Sequence, residues 1–386
     1  VRASGWSGTA PTSKGVRVAA SGYYVGLFSG IALTVDIAQR TAEHLGVKYL
    51  KTHMDETALA DAFEEATYHI EHHSHDLNYI GKYVLSSLPR ENGYKVVLTG
   101  EGADEQFGGY PLFLPDFLRG RLADDDAASD TQDHLVDAQT AEIKNSYDTI
   151  GANTTYFDGD QPFSILTPAA MSSFTPPAIL FTHPSFSSPL DIIARNIPPH
   201  VQQAISHDWH PLHSAQYVWQ KGHLANQFLS GLGDRVEMAH SVEARTPFLD
   251  HVTTEYVNSL PPEMKIRKRS QGGTTLYVDK YALREAVKPF VTDEVYARTK
   301  HAYTAPTTYP INGPVHQLLS RLITQVKVER LGFVRWDSVQ ALWDKAFGHG
   351  STSEAGPTIR AWRVLVMVAQ WVVLSERFDV ATVARS

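Results

Sequence analysis

Val96-Val97-Leu98-Thr99-Gly100-Glu101-Gly102-Ala103-Asp104-Glu105-Gln106-Phe107-Gly108-Gly109-Tyr110 is the stretch whose reading decides the fold. A short β-branched apolar run stops at a glycine, and carboxylates and further glycines follow at once. The run has the length and composition of a buried parallel strand. Gly100 and Gly102 let the backbone turn sharply and approach a ligand closely. Glu101, Asp104 and Glu105 then fall just past the carboxyl end of the strand, where open α/β sheets bind ligands. The plain alternative is a strand, a turn and an acid-capped helix start, and local physics alone does not separate the two.

Upstream, Tyr23 to Phe28 is a candidate strand. Leu33 to Leu45 has helical spacing, with Gly46 as a natural C-cap. Val47 to Leu50 reads as a second strand. Leu59 to Leu88 is helical in two pieces, broken around His72 to Asn78, and Pro89 is expected to end the second. Lys95 to Thr99 is the opening strand. Strands alternating with helices are the mark of a parallel α/β sheet.

Downstream of Leu112 the pattern changes. Asp124-Asp125-Asp126 and Asp130 to Asp133 form an acidic, loop-prone stretch, and Leu166 to Pro199 is rich in proline, serine and threonine. These predict long loops or an inserted lid. Helices return over His213 to Leu232, Pro247 to Ser259, Tyr281 to Val287, Val315 to Val326, Ser338 to Ala346 and Thr358 to Arg377. In the last, Ile359, Trp362, Leu365, Val366, Ala369, Val372 and Val373 form a wide apolar face that predicts a core helix. The division expected is a flexible segment over 1–20 and one domain over 21–386. Within that domain, 21–120 is α/β, 121–205 a loop or insert, and 206–386 helical.

With 386 residues, 42% hydrophobic and 20% charged, the chain can bury a substantial core. A net charge of -8 argues against a nucleic-acid or membrane-surface binder. No cysteine is present, so disulfides, thiolate metal sites and a cysteine nucleophile are excluded. The longest apolar run, Val364 to Leu374, is short for a membrane span and is interrupted by Gln370. No signal peptide opens the chain, and a cytoplasmic location is the default expectation. Val1 and the small, polar residues after it read as a surface loop, a trimmed boundary or the start of a fragment.

Two further stretches carry candidate chemistry. In Asp234-Arg235-Val236-Glu237-Met238-Ala239-His240-Ser241-Val242-Glu243-Ala244-Arg245-Thr246-Pro247-Phe248-Leu249-Asp250-His251, charges alternate with apolar residues. Buried charges survive only when paired, so Glu243 and Arg245 are expected in a structural ion network seating the helix that begins near Pro247. Arg235 is either part of that network or faces a phosphate. Lys300, before the irregular segment ending at Pro306, is either a solvated lysine or a mobile cation for a phosphate. His69, His72, His73 and His75 invite a metal reading, but only His69 and His73 have i,i+4 spacing and no glutamate lies between them as in a zincin helix. A polar helix end or loop is the better expectation. No G-x-S-x-G elbow supports a serine hydrolase.

Together these stretches resemble the synthetase domain of the asparagine synthetase family. Thr99 to Glu105 followed by Phe107-Gly108-Gly109-Tyr110 is similar to one family signature. Asp234-Arg235, Met238 to Ser241 and Glu243 to Asp250 are similar to a second, which usually has serine where this chain has Glu237. The resemblance runs from about Tyr23 to Phe378. It implies a parallel sheet of the adenine-nucleotide alpha-hydrolase (PP-loop ATP pyrophosphatase) type, followed by a mostly helical remainder. It implies ATP and Mg²⁺, adenylation of a small-molecule carboxylate substrate, and attack by ammonia or another amine. Val25, Gly26, Leu98, Thr99, Gly100 and Arg235 would bind the nucleotide. Asp104 would hold Mg²⁺, Glu101 would sit by the substrate and incoming amine, and Lys300 would neutralise the departing pyrophosphate. Tyr110 completes the candidate catalytic set.

Two family pieces are missing. The glutaminase domain begins with a cysteine, and this chain has none. The Ser-Gly-Gly-x-Asp-Ser pyrophosphate loop should lie upstream of Tyr23 on a central strand, and nothing there matches. Loss of that strand would expose apolar sheet edges. Three explanations stay open: an amino-terminal half or glutaminase chain acts as a partner; the scaffold has turned to ATP-independent cyclisation or condensation; or the chain is a non-catalytic relic. A homo-oligomer is compatible with each. Leu77-Asn78-Tyr79-Ile80-Gly81-Lys82 lies where the family shapes its substrate pocket, and it does not look like the usual aspartate-specific version.

Overall fold

A computed structural model describes residues 19–25, 32–114, 116–118, 120, 176–182, 192–193, 195–271, 274–298, 305–306, 309–348 and 356–382. Along these, the chain runs β1 (Ala19–Val25), α1 (Ala32–His44), β2 (Lys48–Met54), α2 (Glu56–Ile70), α3 (Asn78–Glu91), β3 (Val96–Leu98) and α4 (Ala103–Phe107). Then come α5 (Pro199–His207), α6 (Pro211–Trp219), a wide π-type helical stretch over Gln220–Arg235, the single turn α7 (Val236–Met238) and β4 (Glu243–Arg245). The remainder is α8 (His251–Asn258), α9 (Pro262–Lys265), the strands β5 (Arg267–Gln271) and β6 (Thr274–Val278), and α10 (Tyr281–Val287) to α15. The last five of these are α11 (Asp293–Ala297), α12 (Pro314–Leu322), α13 (Gln325–Arg330), α14 (Trp336–Phe347) and α15 (Gly356–Arg377).

The alternation of strand and helix up to α4 is as the sequence predicts, and so is the helical remainder. The single sheet is not. Among the described residues β1 pairs in parallel with β2, β3 pairs in parallel with β4, and β5 with β6 is an antiparallel hairpin. No described strand joins the first two pairs. The opening strand was expected to be buried, yet Val96 and Leu98 are 49% and 74% exposed. They lie two residues apart and so share a face, and no described segment covers it. Among the described residues only β4 pairs with this strand, and no second layer covers its exposed face.

The main core is helical. Residues of α2, α3, α12, α14 and α15 form one continuous apolar cluster that includes Leu59, Phe63, Tyr79, Leu319 and Leu365. α15 is buried on more than one face: every residue from Val364 to Gln370 is buried. Thr358–Arg377 is long and apolar enough to cross a membrane by length and composition, but most of it is inside the fold. Gln370 shows why this helix suits a protein core. Its Oε1 accepts from Ser74 N at 2.5 Å and its Nε2 donates to Ser74 O at 3.0 Å, so the buried amide is satisfied by the loop between α2 and α3.

Several boundaries shift for local reasons. Gly46 takes the left-handed conformation expected past a helix end, at φ 65°. Pro89 does not end α3 but sits in its last turn, where helix ends tolerate irregular bonding. The helix expected from Pro247 begins at His251. Pro247–Leu249 is a separate 3-10 turn, and Asp250 caps α8 by accepting from Val252 N at 3.1 Å and Thr253 N at 3.3 Å. The segment 1–18 and most of the insert expected over 121–205 lie outside the described residues.

Candidate active site

The two motif-bearing stretches are neighbours in space. β3 and β4 run parallel with Val96 opposite Glu243 and Leu98 opposite Arg245. Glu243 N donates to Lys95 O and Thr99 N donates to Arg245 O, each at 2.8 Å. Gly100, Glu101 and α4 therefore emerge at the carboxyl end of this pair. Gly102 stands at φ 93°, and a Cβ there would lie 2.4 Å from Leu249 Cδ2. Only glycine fits that position. Its N–H donates to Glu105 Oε2 at 3.1 Å, fixing the first turn of α4.

Each leading carboxylate faces a lysine. Asp104 Oδ1 lies 2.9 Å from Lys280 Nζ. Glu101 Oε1 lies 3.6 Å from Lys82 Nζ, and the same ammonium lies 3.1 Å from Glu237 Oε1. Glu237 is buried, and that burial pushes its pKa up while Lys82 pulls it down. Glu105 is also buried. Burial raises its pKa, opposed by the Tyr110 hydroxyl, which donates to Glu105 Oε1 at 2.8 Å. Burial and the neighbouring carboxylates in turn push the Tyr110 phenol up.

α4 is held from behind. Gln216 Nε2 donates to the carbonyls of Glu105 and Gln106 at 2.8 and 3.0 Å, and its Oε1 accepts from the buried Lys265 ammonium at 2.9 Å. Desolvation lowers the Lys265 pKa to about 8. α3 is tied to α7 where Ser86 Oγ donates to Val236 O at 3.0 Å, and Arg90 Nη1 donates to His240 O at 2.9 Å. These bonds set Lys82, on α3, against Glu237, on α7.

The structure thus brings Glu101, Asp104 and Tyr110 to one edge, beside Leu98, Thr99 and Gly100. Thr99 Oγ1 is buried with no hydrogen-bond partner among the described residues. Arg235 points elsewhere: Nη1 donates to Ile70 O at 2.9 Å and Nε lies 3.9 Å from Glu71, at the end of α2. Val25 ends β1, and nothing further is described of it; Gly26 and Lys300 lie outside the described residues. Glu243 and Arg245 pair with each other at 2.8 Å, but on the surface, each more than half exposed. They form no buried network because their strand alternates outward on an open face. Of the stretch Leu77 to Lys82, Leu77, Tyr79 and Ile80 are core, and Asn78 Oδ1 accepts from Ala305 N at 2.6 Å. Only Lys82 reaches the site.

Sequence reasoning gave Lys280, Lys265 and Gln216 no role. The hairpin that delivers Lys280 carries one sequence signal, the Gly272-Gly273 pair, which marks a tight turn; the all-polar Arg267 to Gln271 before it has no strand alternation. Nothing local marks Gln216 or Lys265, whose importance comes from tertiary contact. Among the described residues no cluster of three or more histidine, aspartate and glutamate side chains could hold a metal ion. The histidine-rich loop instead stacks His72 on His73, with centroids 4.5 Å apart.

Comparison with known proteins gives the family. The asparagine synthase family model matches residues 34–373. The chain is 36% identical to amidase chry2 of Gibberella zeae over 363 residues, covering 89% of this chain and 51% of the relative. It is 35% identical to amidase chyE of Penicillium rubens over 367 residues, again 89% and 51%. A putative glutamine-hydrolysing asparagine synthetase of Mycobacterium tuberculosis is 25% identical over 290 residues, 70% of this chain and 39% of the relative. The chain spans about half the length of the first two relatives.

Proposed function

Because the chain belongs to the asparagine synthase family, we propose that it is the synthetase portion of an amide-forming ligase that uses ATP, a carboxylic acid and ammonia or an amine. The observation that carries this reading is the gathering of two carboxylates and two lysines at the carboxyl end of the β3–β4 pair, Asp104 paired with Lys280 at 2.9 Å and Glu101 at 3.6 Å from Lys82. ATP supplies the activation, by transfer of its adenylyl group to the acid with loss of pyrophosphate.

The residues fit the nucleotide in part. Leu98 offers an exposed apolar flank, and the orphaned Thr99 hydroxyl beside Gly100 offers a polar contact. The described residues do not fit Mg²⁺. Asp104 is engaged by an ammonium at 2.9 Å, and among the described residues no group of three or more carboxylate or histidine side chains could hold the ion. No step is assigned to the metal. The chain's own residues position the reactants and move one proton. Glu101 would accept an N–H from the incoming amine and take its proton as the nitrogen bonds to the acyl carbon, the acyl carbon–oxygen bond breaks and AMP leaves with that oxygen. Glu105 and Tyr110 hold the first turn of α4. Positioning and fixed charge are the main levers in such chemistry.

We further propose that the parallel pairs belong to one larger sheet of the PP-loop type, completed by a segment or partner chain laid against β3. Among the described strands β3 pairs only with β4, so its other edge has no described partner, and unpaired strand edges are otherwise an association hazard. A second reading, condensation without ATP, draws support from the lysine on Asp104. Pyrophosphate release and amide formation with ammonia, followed across a panel of carboxylic acids, separate the two. Amide formation that depends on ATP and is abolished in Glu101→Gln supports the ligase. Product without ATP overturns it in favour of condensation, and no product at all leaves the relic.

A further inference from the structure

Lys82 and Glu237 form a pair that the proposed chemistry does not by itself require. Glu237 stands where the second motif usually has serine. Its side chain is 3% exposed, and its Oε2 is buried with no hydrogen-bond partner among the described residues. A buried carboxylate persists only beside a cation, and Lys82 is the cation that meets it. Lys82 has three N–H donors. Glu237 at 3.1 Å takes one; Glu101 at 3.6 Å stands beyond ordinary N–H···O distance. The Lys82 and Glu101 side chains remain 18% and 32% exposed beside each other. Among the described residues, Lys280 lies against Asp104, Arg245 against Glu243, and Arg235 donates to Ile70 O.

We propose that Lys82, held in place by the buried Glu237, binds the carboxylate of the acid substrate and sets it beside Glu101. This rests on the ligase reading for the meaning of the bound acid, but not for the binding itself. Glu237 is a positioning residue: it fixes the ammonium and leaves its other N–H groups for two carboxylate oxygens. The lysine also screens the incoming carboxylate from Glu101, so two like charges can share the mouth. The acid is recognised by charge and hydrogen bonding at one end, which leaves the rest of the molecule to contacts elsewhere.

The test needs neither ATP nor turnover. Full-length protein carrying ¹³Cε-lysine is titrated with acetate and benzoate, and separately with acetamide and benzamide. The Lys82 resonance is assigned by its absence in Lys82→Met. The acids should shift that resonance saturably and the amides should not. In Glu237→Gln the Lys82 signal persists, and the acids should bind at least fivefold more weakly while the Lys280 signal keeps its position. Amides that act like acids, acids that leave Lys82 unmoved, or undiminished acid binding in Glu237→Gln would each overturn the proposal. Because this readout is independent of product formation, a failed ligase assay with intact acid binding discards the reaction and keeps the site.

Discussion

Lys280 Nζ closes on Asp104 Oδ1 at 2.9 Å, and Gly109 is the residue that leaves them room. A Cβ built on Gly109 would lie 2.1 Å from Asp104 Oδ1 and 2.7 Å from Lys280 Cε. It would also lie 2.9 Å from the Asp104 Cα, so rotating the lysine away does not relieve the clash. Gly109→Ala should therefore separate the ion pair and shift α4. Overpacking of this kind costs about 1–3 kcal/mol. Denaturant melts should show that loss, and turnover should fall by more than the lost stability explains. A variant with unchanged midpoint and unchanged activity would show that the pair has no structural or chemical weight.

Tyr110 and Glu105 invite a second comparison. The Tyr110 hydroxyl and the Gly102 N–H both donate to the buried Glu105 carboxylate. Tyr110→Phe removes one donor and leaves an acceptor short, at about 1–3 kcal/mol. Glu105 should then titrate higher still, because the hydroxyl is what lowers it against burial. Glu105→Gln cannot accept at both oxygens, since one becomes an amide nitrogen, so it should cost at least as much. Urea unfolding of the two variants and the double variant checks this. Additive losses would mean that the bond carries no coupling.

How far the sequence reaches can be judged from these residues. The strand–glycine–carboxylate order at β3 was legible because the run, the turn and the acids are adjacent in the chain. The core role of α15 was legible from its apolar spacing. The pairing of Asp104 with Lys280 was not, because the partners are brought together by a hairpin far along the chain. The exposed state of Val96 and Leu98 was misread for a related reason. Composition shows that a strand is fit for burial, but not whether another layer covers it. Likewise Arg235 was open between two roles, and only its contact with Ile70 O shows where its guanidinium goes.

Acid should unfold the protein at higher pH than its carboxylates alone would suggest. Burial lowers His73, His213 and His223 each from 6.5 to about 4, with neighbouring cationic groups adding to the effect. Each is neutral in the fold but takes a proton in the unfolded chain between about pH 6.5 and 4. The unfolded state thus binds more protons in that window, and stability rises with pH across it and is lost as pH falls. Each such histidine costs roughly 3 kcal/mol once the pH is below its folded value. Glu105 and Glu237, both raised, work in the opposite sense above pH 4.5, but they are fewer. Unfolding free energy measured from pH 7 to 4 should fall steeply, and His223→Gln should flatten the slope. A flat profile in the wild type would contradict the burial of these rings.

Arg235 gives a direct separation of a structural role from a nucleotide role. Its Nη1 donates to Ile70 O, an end-of-helix carbonyl of α2, and Glu71 follows in the left-handed conformation at φ 53°. Carbonyls in the last turn of a helix lack intrahelical donors, so the guanidinium closes α2 against the π-type stretch. Arg235→Gln keeps a donor but shortens the side chain and removes the charge. The expected cost is about 1.5–3 kcal/mol, the range for a hydrogen bond involving a charged group. If closing the helix is its role, the KM for ATP should stay within about twofold, since each tenfold change requires about 1.4 kcal/mol of lost binding. If the guanidinium instead swings to a phosphate during the reaction, the order reverses: stability holds and the KM for ATP rises tenfold or more. Thermal melts and steady-state kinetics on the same preparation distinguish the two outcomes. Arg235→Lys sharpens the test, because a lysine can still serve a phosphate as a point charge while its shorter reach fails the Ile70 carbonyl.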